Sequence, residues 1–451
     1  MKTMLERAKG SALDIITRCT DPINAITLLP PHTAQIRSLE FEYSYWPKIQ
    51  RFSEINSGPL PLLRFLRIVA IEEFDLDGPD AMTSPTIPLF TNAVNLREFY
   101  LRSKGPSFIN RFVFPNLTRF ELTTTPVEEG FNFRASLLNF LEASPTLETV
   151  YLKIVGDMPP EVLPRRRVVL LPNVEAFIMA VDDTGPGYEI AAHISCPSAR
   201  HTSLEHKRDA GNITTDGMFP NPVSWNAIAR QYARGPVEEV TLEIKATWET
   251  LISCLLVFQS PDAAGLVLNF EIAARDEDSG IHFPPGGVHY EVFSQASRTI
   301  REHPLLANVK RVHIDHRLFV FGLDESPRIA EEAGRLFKSM GPLDKLSIYN
   351  SDLSLYLGPF VDHWEPDNTQ RPVVLPPIKE LAISHPLQLH GIEEPIAVIV
   401  ELAKSRHALG TPFERVTVYM HNLPTTLAES LGPWVGAADC QEEMIPDLGD
   451  F

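Results

Sequence analysis

The hexapeptide LREFYL at residues 96–101 contains the pattern that decides the fold. In this segment, Leu96 is followed three positions later by Phe99, and Leu101 follows two positions after that. Side chains alternate between the two faces of a strand, so Phe99 and Leu101 fall on the same face and Leu96 lies at the bend that leads into it. The hexapeptide therefore predicts a short strand with one face turned towards a core.

The same apolar phrase returns along the chain at steps of about 31 residues, longer and less regular than a leucine-rich consensus. The clear copies are Ile36/Leu39/Phe41, Leu63/Leu66/Ile68, Leu96/Phe99/Leu101, Leu117/Phe120/Leu122, Leu147/Val150/Leu152, Val174/Phe177/Met179, Val237/Val240/Leu242, Val309/Val312/Ile314, Leu343/Leu346/Ile348, Ile378/Leu381/Ile383 and Phe413/Val416/Val418. Weaker copies lie near Ala199/Leu204 and Leu266/Phe270. The repeat predicts thirteen strands lying side by side in chain order.

Proline and helical periodicity support this division of the chain. A proline lies one or two residues before nine of the phrases, where proline is tolerated: Pro61, Pro115, Pro145, Pro172, Pro197, Pro236, Pro342, Pro377 and Pro412. Apolar spacing of three to four residues predicts helices over 134–143, 223–234, 247–259, 291–302, 328–340 and 395–407. Strands that alternate with crossover helices are expected to be parallel.

We therefore predict an α/β fold, a leucine-rich-repeat-like solenoid with an open curved parallel sheet and helices on its convex side. Residues 1–35 are expected to form an N-terminal cap segment, and the candidate for the cap is part of Thr3–Thr20, which combines a helical opening with an apolar strand at Leu13–Thr17. About 13 units are expected over 36–435, and 436–451 is predicted to be an acidic tail that either covers the last unit or is disordered.

These phrases, with the opening Leu5–Lys9 and Leu13–Ile15, resemble the leucine-rich-repeat part of the F-box-like protein family of mushroom-forming fungi. The resemblance implies a protein that presents a substrate to a cullin-type ubiquitin ligase, recruited through an adaptor by an N-terminal F-box. No F-box is found in this sequence, so the adaptor is an expected partner only if an F-box lies upstream. The expected partner otherwise is a protein substrate on the concave face.

The composition of the chain limits the classes of partner that it is expected to bind. The 58 acidic and 40 basic side chains give a net charge of −18, which would repel nucleic acid and anionic lipid and favours basic or neutral protein surfaces. Apolar runs are shorter than the roughly 20 residues of a membrane span. Four scattered cysteines and the absence of a signal sequence predict a reducing location, cytoplasmic or nuclear, without disulfides or a metal.

No catalytic or cofactor motif is found, and the sequence predicts a protein that is not an enzyme. The chain has no glycine-rich phosphate loop and no serine or cysteine nucleophile signature. The pairs His313/His316 and His282/His289 lack metal-ligand spacing, which favours packed or solvated histidines. The alternative is an α/β hydrolase or transferase with unrecognised motifs, which would have a deep pocket where ionisable side chains converge.

Residues that flank the last two apolar positions of each phrase are expected to point outwards, onto the concave surface. Tyrosine and arginine combine contact area with hydrogen bonding and are common at binding hot spots. The predicted protein-binding residues are therefore Tyr100, Arg102, Tyr151, Lys153, Tyr349 and Tyr419. The simpler interpretation is that such residues are ordinary members of strands, paired with neighbours such as Arg119 and Glu98.

Overall fold

The computed structural model divides the chain into two compact units, Met1–His206 and Lys207–Phe451. The structure describes residues 10–18, 29–55, 58–71, 89–104, 109, 112–125, 133–156, 167–182, 185–209, 219–232, 237–247, 251–260, 265–273, 287–303, 306–317, 326–349, 353–361, 375–385, 393–420 and 426–442. Among these residues, none of the helices has the length and apolar character needed to cross a membrane.

The first unit is built on parallel strands in the order β1-β2-β3-β4-β5-β6-β8-β10, with β7 and β9 paired separately. The strands are β1 (Leu13–Arg18), β2 (Ile36–Tyr45), β3 (Phe65–Ile71), β4 (Glu98–Lys104), β5 (Arg119–Thr125), β6 (Thr149–Ile154), β7 (Val169–Leu170), β8 (Ala176–Val181), β9 (Ile194–Ser195) and β10 (His201–Asp209), whose last three residues belong to the second unit. Its helices are α1 (Trp46–Ile55), α2 (Phe133–Glu142), α3 (Gly185–Ala192) and a 3₁₀ turn at Pro30–Gln35.

The second unit has the strand order β13-β12-β11-β14-β15-β16-β17-β18. The strands are β11 (Glu239–Thr247), β12 (Leu251–Gln259), β13 (Leu266–Ala273), β14 (Arg311–Arg317), β15 (Leu343–Tyr349), β16 (Ile378–His385), β17 (Arg415–Met420) and β18 (Ala438–Glu442). The helices are α4 (Pro222–Tyr232), α5 (Gly287–Arg301), α6 (Ser326–Lys338), α7 (Leu353–Leu357), α8 (Glu393–Ala408) and α9 (Leu427–Leu431), with 3₁₀ turns at Leu306–Asn308 and Gly358–Phe360.

The apolar phrases form the core of both units, as their alternation predicts. Every residue of the eleven clear copies is at most 2% exposed. Equivalent positions also pair from strand to strand, so that Phe99 lies beside Phe120 and Val312 beside Leu346. Because this face of each strand is apolar, it packs against the helices: the rings of Phe120 and Phe140 of α2 lie 4.5 Å apart. The α/β class and the largely parallel sheet are thus confirmed.

The turns that lead into the strands of the first unit are tied to one another by side chains. The Asn95 amide donates to the Pro61 carbonyl at 2.8 Å, and the Asn116 amide donates to the Val94 carbonyl at 2.8 Å. Thr146, Asn173 and Ser198 donate in the same way to the carbonyls of Pro115, Pro145 and Pro172. Each bond joins one turn to the turn before it. These five bonds, called here the turn ladder, fix the spacing of consecutive strands.

One predicted helix is wrong. Of the predicted segment 247–259, Thr247 ends β11 and Leu251–Gln259 form β12, a strand that pairs antiparallel with β11 and β13. Burial along β12 alternates strictly, with Ile252, Cys254, Leu256 and Phe258 buried and the residues between them half-buried. An apolar run in which both faces are partly covered satisfies helical spacing and strand alternation alike. The other five predicted helices are confirmed as α2, α4, α5, α6 and α8.

The prediction that all strands follow chain order is also wrong, because the order reverses over β11, β12 and β13. The strand β11 pairs parallel with β14, while β12 and β13 continue outwards from the other edge of β11. Short loops permit antiparallel neighbours without a crossover helix, and this is the geometry of the β11-β12-β13 segment.

The two ends of the predicted repeat region carry additional strands. The predicted strand at Leu13–Thr17 is confirmed as β1, which pairs parallel with β2. Within the acidic segment 436–451, Ala438–Glu442 form β18 beside β17. The helical opening predicted for the cap and residues 443–451 of the tail lie outside the described residues.

Candidate functional site

The candidate site is the outer face of each unit, defined as the strand side chains that alternate with the buried phrase residues. On the outer face of the first unit, Tyr100 of β4 lies beside Glu121 of β5, which in turn lies beside Tyr151 of β6. Both tyrosines are half-buried. Strand pairing therefore brings these two predicted binding residues into one row, separated by a single carboxylate.

Arg102 and Lys153 occupy the next row of the same outer face. Arg102 pairs with Thr123 of β5, and Thr123 pairs with Lys153 of β6. Arg102 is exposed and Lys153 is half-buried. Neither side chain forms an ion pair with another described residue, so both cations are available to a partner.

An aromatic and charged cluster lies at the centre of this face. The rings of Phe65 and Tyr100 lie 5.2 Å apart, and the Arg119 guanidinium lies 5.3 Å from the centre of the Tyr100 ring. The Tyr100 hydroxyl donates to a carboxylate oxygen of Glu98 at 3.2 Å. Burial raises the pKa of Tyr100, against the opposing charge of Arg119, so the phenol stays protonated and remains a hydrogen-bond donor. The cluster is a preformed surface with an aromatic centre and a polar rim.

Ion pairs surround this cluster but contribute little to its stability. Arg67 lies 3.5 Å from Glu40, and Arg119 lies 3.9 Å from Glu121. Both arginines are about half exposed, and exposed pairs of this kind contribute about 0–1 kcal/mol. These charges can therefore exchange their present partners for those of a bound protein at small cost.

The outer face of the second unit contains the other two predicted residues. Tyr349 of β15 pairs with Ser384 of β16, and Ser384 pairs with Tyr419 of β17. Both tyrosines are half-buried. The arrangement repeats that of Tyr100 and Tyr151, with a serine in place of the glutamate between the rings.

A shallow polar depression of about 310 Å³ lies on this outer face, across β11, β14 and β15. Except for the phrase residue Val312, its lining residues occupy alternate positions of adjacent strands, and β14 and β15 place His313 directly beside Ser347. The rings of His313 and Tyr349 lie 4.7 Å apart. The lining residues are Glu239, Arg311, Val312, His313, Lys345, Ser347 and Tyr349.

The charges in and around the depression are mostly paired. Arg311 Nε lies 2.7 Å from a Glu239 oxygen. Lys345 forms no ion pair, and the Ser347 hydroxyl forms no hydrogen bond, with any other described residue. Partial burial lowers the pKa of His313, although nearby carboxylates oppose the shift, so its imidazole is neutral at pH 7.

Candidate nucleophiles among the described residues include one serine and two buried cysteines. The Ser347 hydroxyl, beside His313 of the neighbouring strand, donates to no described residue. Burial raises the pKa of Cys196 to about 12 and also raises that of Cys254, so these thiols stay protonated and unreactive. No cluster within the described ranges has the ligands to hold a metal ion.

The other histidine of the pair considered in the sequence is packed into the interior. His316 is 1% exposed, its Nδ1 is hydrogen-bonded to the Tyr356 hydroxyl, and its ring stacks on Phe293 at 5.7 Å. The interpretation of His316 as a packed histidine is confirmed. His282 and the His289 side chain lie outside the described residues.

Several residues of the two outer faces are absent from the sequence-based selection, among them Phe65, Glu239 and Ser347. Phe65 lies immediately before the phrase residue Leu66, a position that alternation assigns to the outer face. The sequence pattern alone could therefore have identified it. Ser347 lies between the phrase residues Leu346 and Ile348, so alternation assigns it to the outer face as well. The position of Glu239 in the depression requires knowledge of strand pairing, because β11 and β14 become neighbours only after β12 and β13 are placed elsewhere.

Comparison with models of known protein families gives no match, and comparison with curated proteins gives none either.

Proposed function

We propose that this chain is a non-catalytic protein-interaction scaffold, built from leucine-rich-repeat-like units, that binds a partner protein on its outer faces. The repeat assignment is supported by eleven buried phrases whose equivalent positions pair in register. It is supported further by the turn ladder, which links each turn of the first unit to its predecessor. Stacked units of this kind form solenoids with a concave sheet surface that binds partners.

The observation that carries the binding proposal is the cluster of Phe65, Tyr100 and Arg119 on the outer face of the first unit. These side chains contact one another although they face away from the core, which is filled by Phe99 and Phe120. A tyrosine ring held between a phenylalanine and an arginine loses little conformational freedom on binding. Preorganised aromatic and arginine side chains of this kind are typical binding hot spots.

The experiment is a quantitative affinity capture from extracts of the source organism, with the tagged chain as bait. Replacing Tyr100, Arg102 and Tyr151 together by alanine should reduce recovery of a specific partner at least tenfold. The free energy of unfolding should fall by less than about 2 kcal/mol, because all three side chains lie outside the core. A matched control replaces three exposed residues by alanine: Glu148, Glu175 and Arg200, in the turns that precede β6, β8 and β10. This variant should retain the partner.

Identical recovery by wild type, the outer-face variant and the control would contradict the binding proposal. Loss of folding in the outer-face variant would contradict the assignment of these residues to the outer face. Urea titration of the purified proteins separates the two outcomes, because it measures stability without any partner.

The narrower proposal is that the chain is the substrate-recognition part of an F-box-type ubiquitin ligase receptor, or a relic of one that lacks the F-box. Its support is the resemblance of the repeated phrases to the fungal F-box-like family. A reciprocal capture of the full-length gene product with the F-box adaptor and cullin tests it. Failure to recover either protein would leave the scaffold proposal standing and remove the ligase role.

A further inference from the structure

We propose that the depression on the outer face of the second unit is a subsite for one anionic side chain, a carboxylate or phosphoryl group, of a polypeptide partner. This inference rests on the proposed function, because it names the chemistry of one contact with the bound protein. It adds a specific anchor to a surface whose overall acidic charge favours basic or neutral partners. The argument depends on which charges at the site are already paired.

Three carboxylates close to the depression have cationic neighbours of their own. Glu239 pairs with Arg311 at 2.7 Å, Asp315 pairs with Arg317 at 3.3 Å, and Glu243 pairs with Lys245. Their charges are thereby largely offset within the face. Lys345 is the cation left over among the lining residues, since it forms no ion pair with any described residue. Glu380 lies beside it on β16 but does not line the depression.

Hydrogen-bond donors accompany this ammonium group. Ser347 follows Lys345 by two positions on β15, so both side chains leave the same face of the strand. The Ser347 residue is 5% exposed, and its hydroxyl has no partner within the described part of the chain. Because Ser347 lines the open depression and its hydroxyl oxygen is not fully enclosed, this hydroxyl can donate to a ligand oxygen in place of water. The neutral His313 imidazole adds a ring nitrogen beside the same space.

The combination of donors selects the class of ligand. An ammonium group, a hydroxyl and an imidazole, with the Arg311 guanidinium at the rim, provide several donors for oxygen atoms. A volume of about 310 Å³, open to solvent, accommodates one carboxylate or phosphoryl group with its side chain. A second cationic group would be repelled by Lys345. The subsite therefore selects a negatively charged group at one point of the outer face.

The test is a titration of the full chain, labelled with ¹³C in its histidine rings, followed by NMR. The probes are inorganic phosphate, a hexaglutamate peptide and a phosphoserine peptide, each at constant ionic strength set with sodium chloride. A variant His313→Gln identifies the resonance of His313. We expect a saturable shift of that resonance with at least one probe, and comparison of the two peptides distinguishes carboxylate from phosphoryl recognition.

Matched variants decide whether the site is specific. Lys345→Ala and Ser347→Ala should each weaken binding of the effective probe at least fivefold. Arg415→Ala removes an equally unpaired cation from the same face, two strands away, and should leave the affinity within twofold. Absence of a saturable shift with all three probes, or equal weakening by Arg415→Ala, would overturn the inference. Either result would leave the capture experiment on Tyr100, Arg102 and Tyr151 unaffected, because the titration requires no native partner.

Discussion

The two units bury the same apolar phrase, but different interactions surround it. In the first unit, the turn ladder joins the turns before successive strands. In the second unit, α5 and α6 contain a buried carboxylate: Glu332 is 2% exposed, accepts a hydrogen bond from Ser297 at 3.1 Å, and pairs with Arg301 and Arg335. The comparison teaches that the phrase specifies the strand and its core face, whereas the connecting segments hold the strands together in different ways.

The largest effect is expected from Glu332→Ala, which would break the charge network of the second unit. Removing the carboxylate leaves the partly buried Arg301 and the buried Ser297 hydroxyl without their acceptor. Breaking a buried pair in this way costs about 3–5 kcal/mol. Urea unfolding should report that loss, and hydrogen exchange should show it in α5 and α6 before any change in the first unit.

Glu331→Ala is the matched control, because Glu331 is exposed and pairs with the same Arg335 one turn away. Exposed pairs of this spacing contribute about 0.3–0.5 kcal/mol. Similar losses in the two variants would show that the buried network does not hold α5 and α6 together.

Much of the fold could be predicted from the sequence because the phrase carries a strong local signal. Alternation determined which residues of β4 face the core, and prolines marked the points where strands begin. The residues of β12 could not be assigned in this way, since the apolar segment from Ile252 to Phe258, interrupted by Ser253, fits both helix and strand. The reversed order of β11, β12 and β13 depends on pairing between distant segments, which local periodicity does not encode.

The candidate site, like the fold, could be predicted from the sequence only in part. Tyr100, Tyr151 and the row between Tyr349 and Tyr419 follow from alternation within single strands, which the sequence contains. The depression follows from the pairing of β11 with β14, 72 residues apart at Glu239 and Arg311. No pattern in the sequence indicates that pairing, and a family comparison offers no match from which to infer it.

The second-largest effect is a pH dependence of stability, and it is expected in the second unit, which contains His303. His303 is 3% exposed, its ring stacks on Phe258 at 4.8 Å, and it lies 5.5 Å from Trp225. Burial lowers the pKa of His303 to about 4, from 6.5 in the unfolded chain. Between these values the unfolded state binds the proton more readily, so stability is lost as the pH falls from 6.5 to 4. The full loss from this residue is about 3 kcal/mol.

Urea unfolding at pH 7 and pH 4.5, followed by the fluorescence of the chain, measures this loss in wild type and in His303→Phe. The variant keeps an aromatic ring against Phe258 but has no proton to bind, so its stability should fall less steeply with pH. Equal slopes for the two proteins would mean that the pKa of His303 is the same in the folded and unfolded states. Hydrogen exchange should assign the acid-sensitive region to the second unit.

The smallest effect is expected from Asn116→Ala in the turn ladder of the first unit. The variant loses the 2.8 Å bond from the Asn116 amide to the Val94 carbonyl at a turn near the surface. A hydrogen bond of this kind contributes about 1 kcal/mol. Asn173→Ala removes the 3.1 Å bond to the Pro145 carbonyl two strands away, and the double variant should lose about 2 kcal/mol because distant bonds act independently.

Glu148→Ala is the control for the turn ladder, since the exposed Glu148 side chain bonds to no other described residue. Its free energy of unfolding should stay within about 0.5 kcal/mol of wild type. If Asn116→Ala matched that control, the backbone bond from Thr118 N–H to the Arg97 carbonyl, at 2.8 Å, would be sufficient to space the strands. Faster hydrogen exchange at β4 and β5 in Asn116→Ala, with no change in the second unit, would instead locate the side-chain contribution in the ladder.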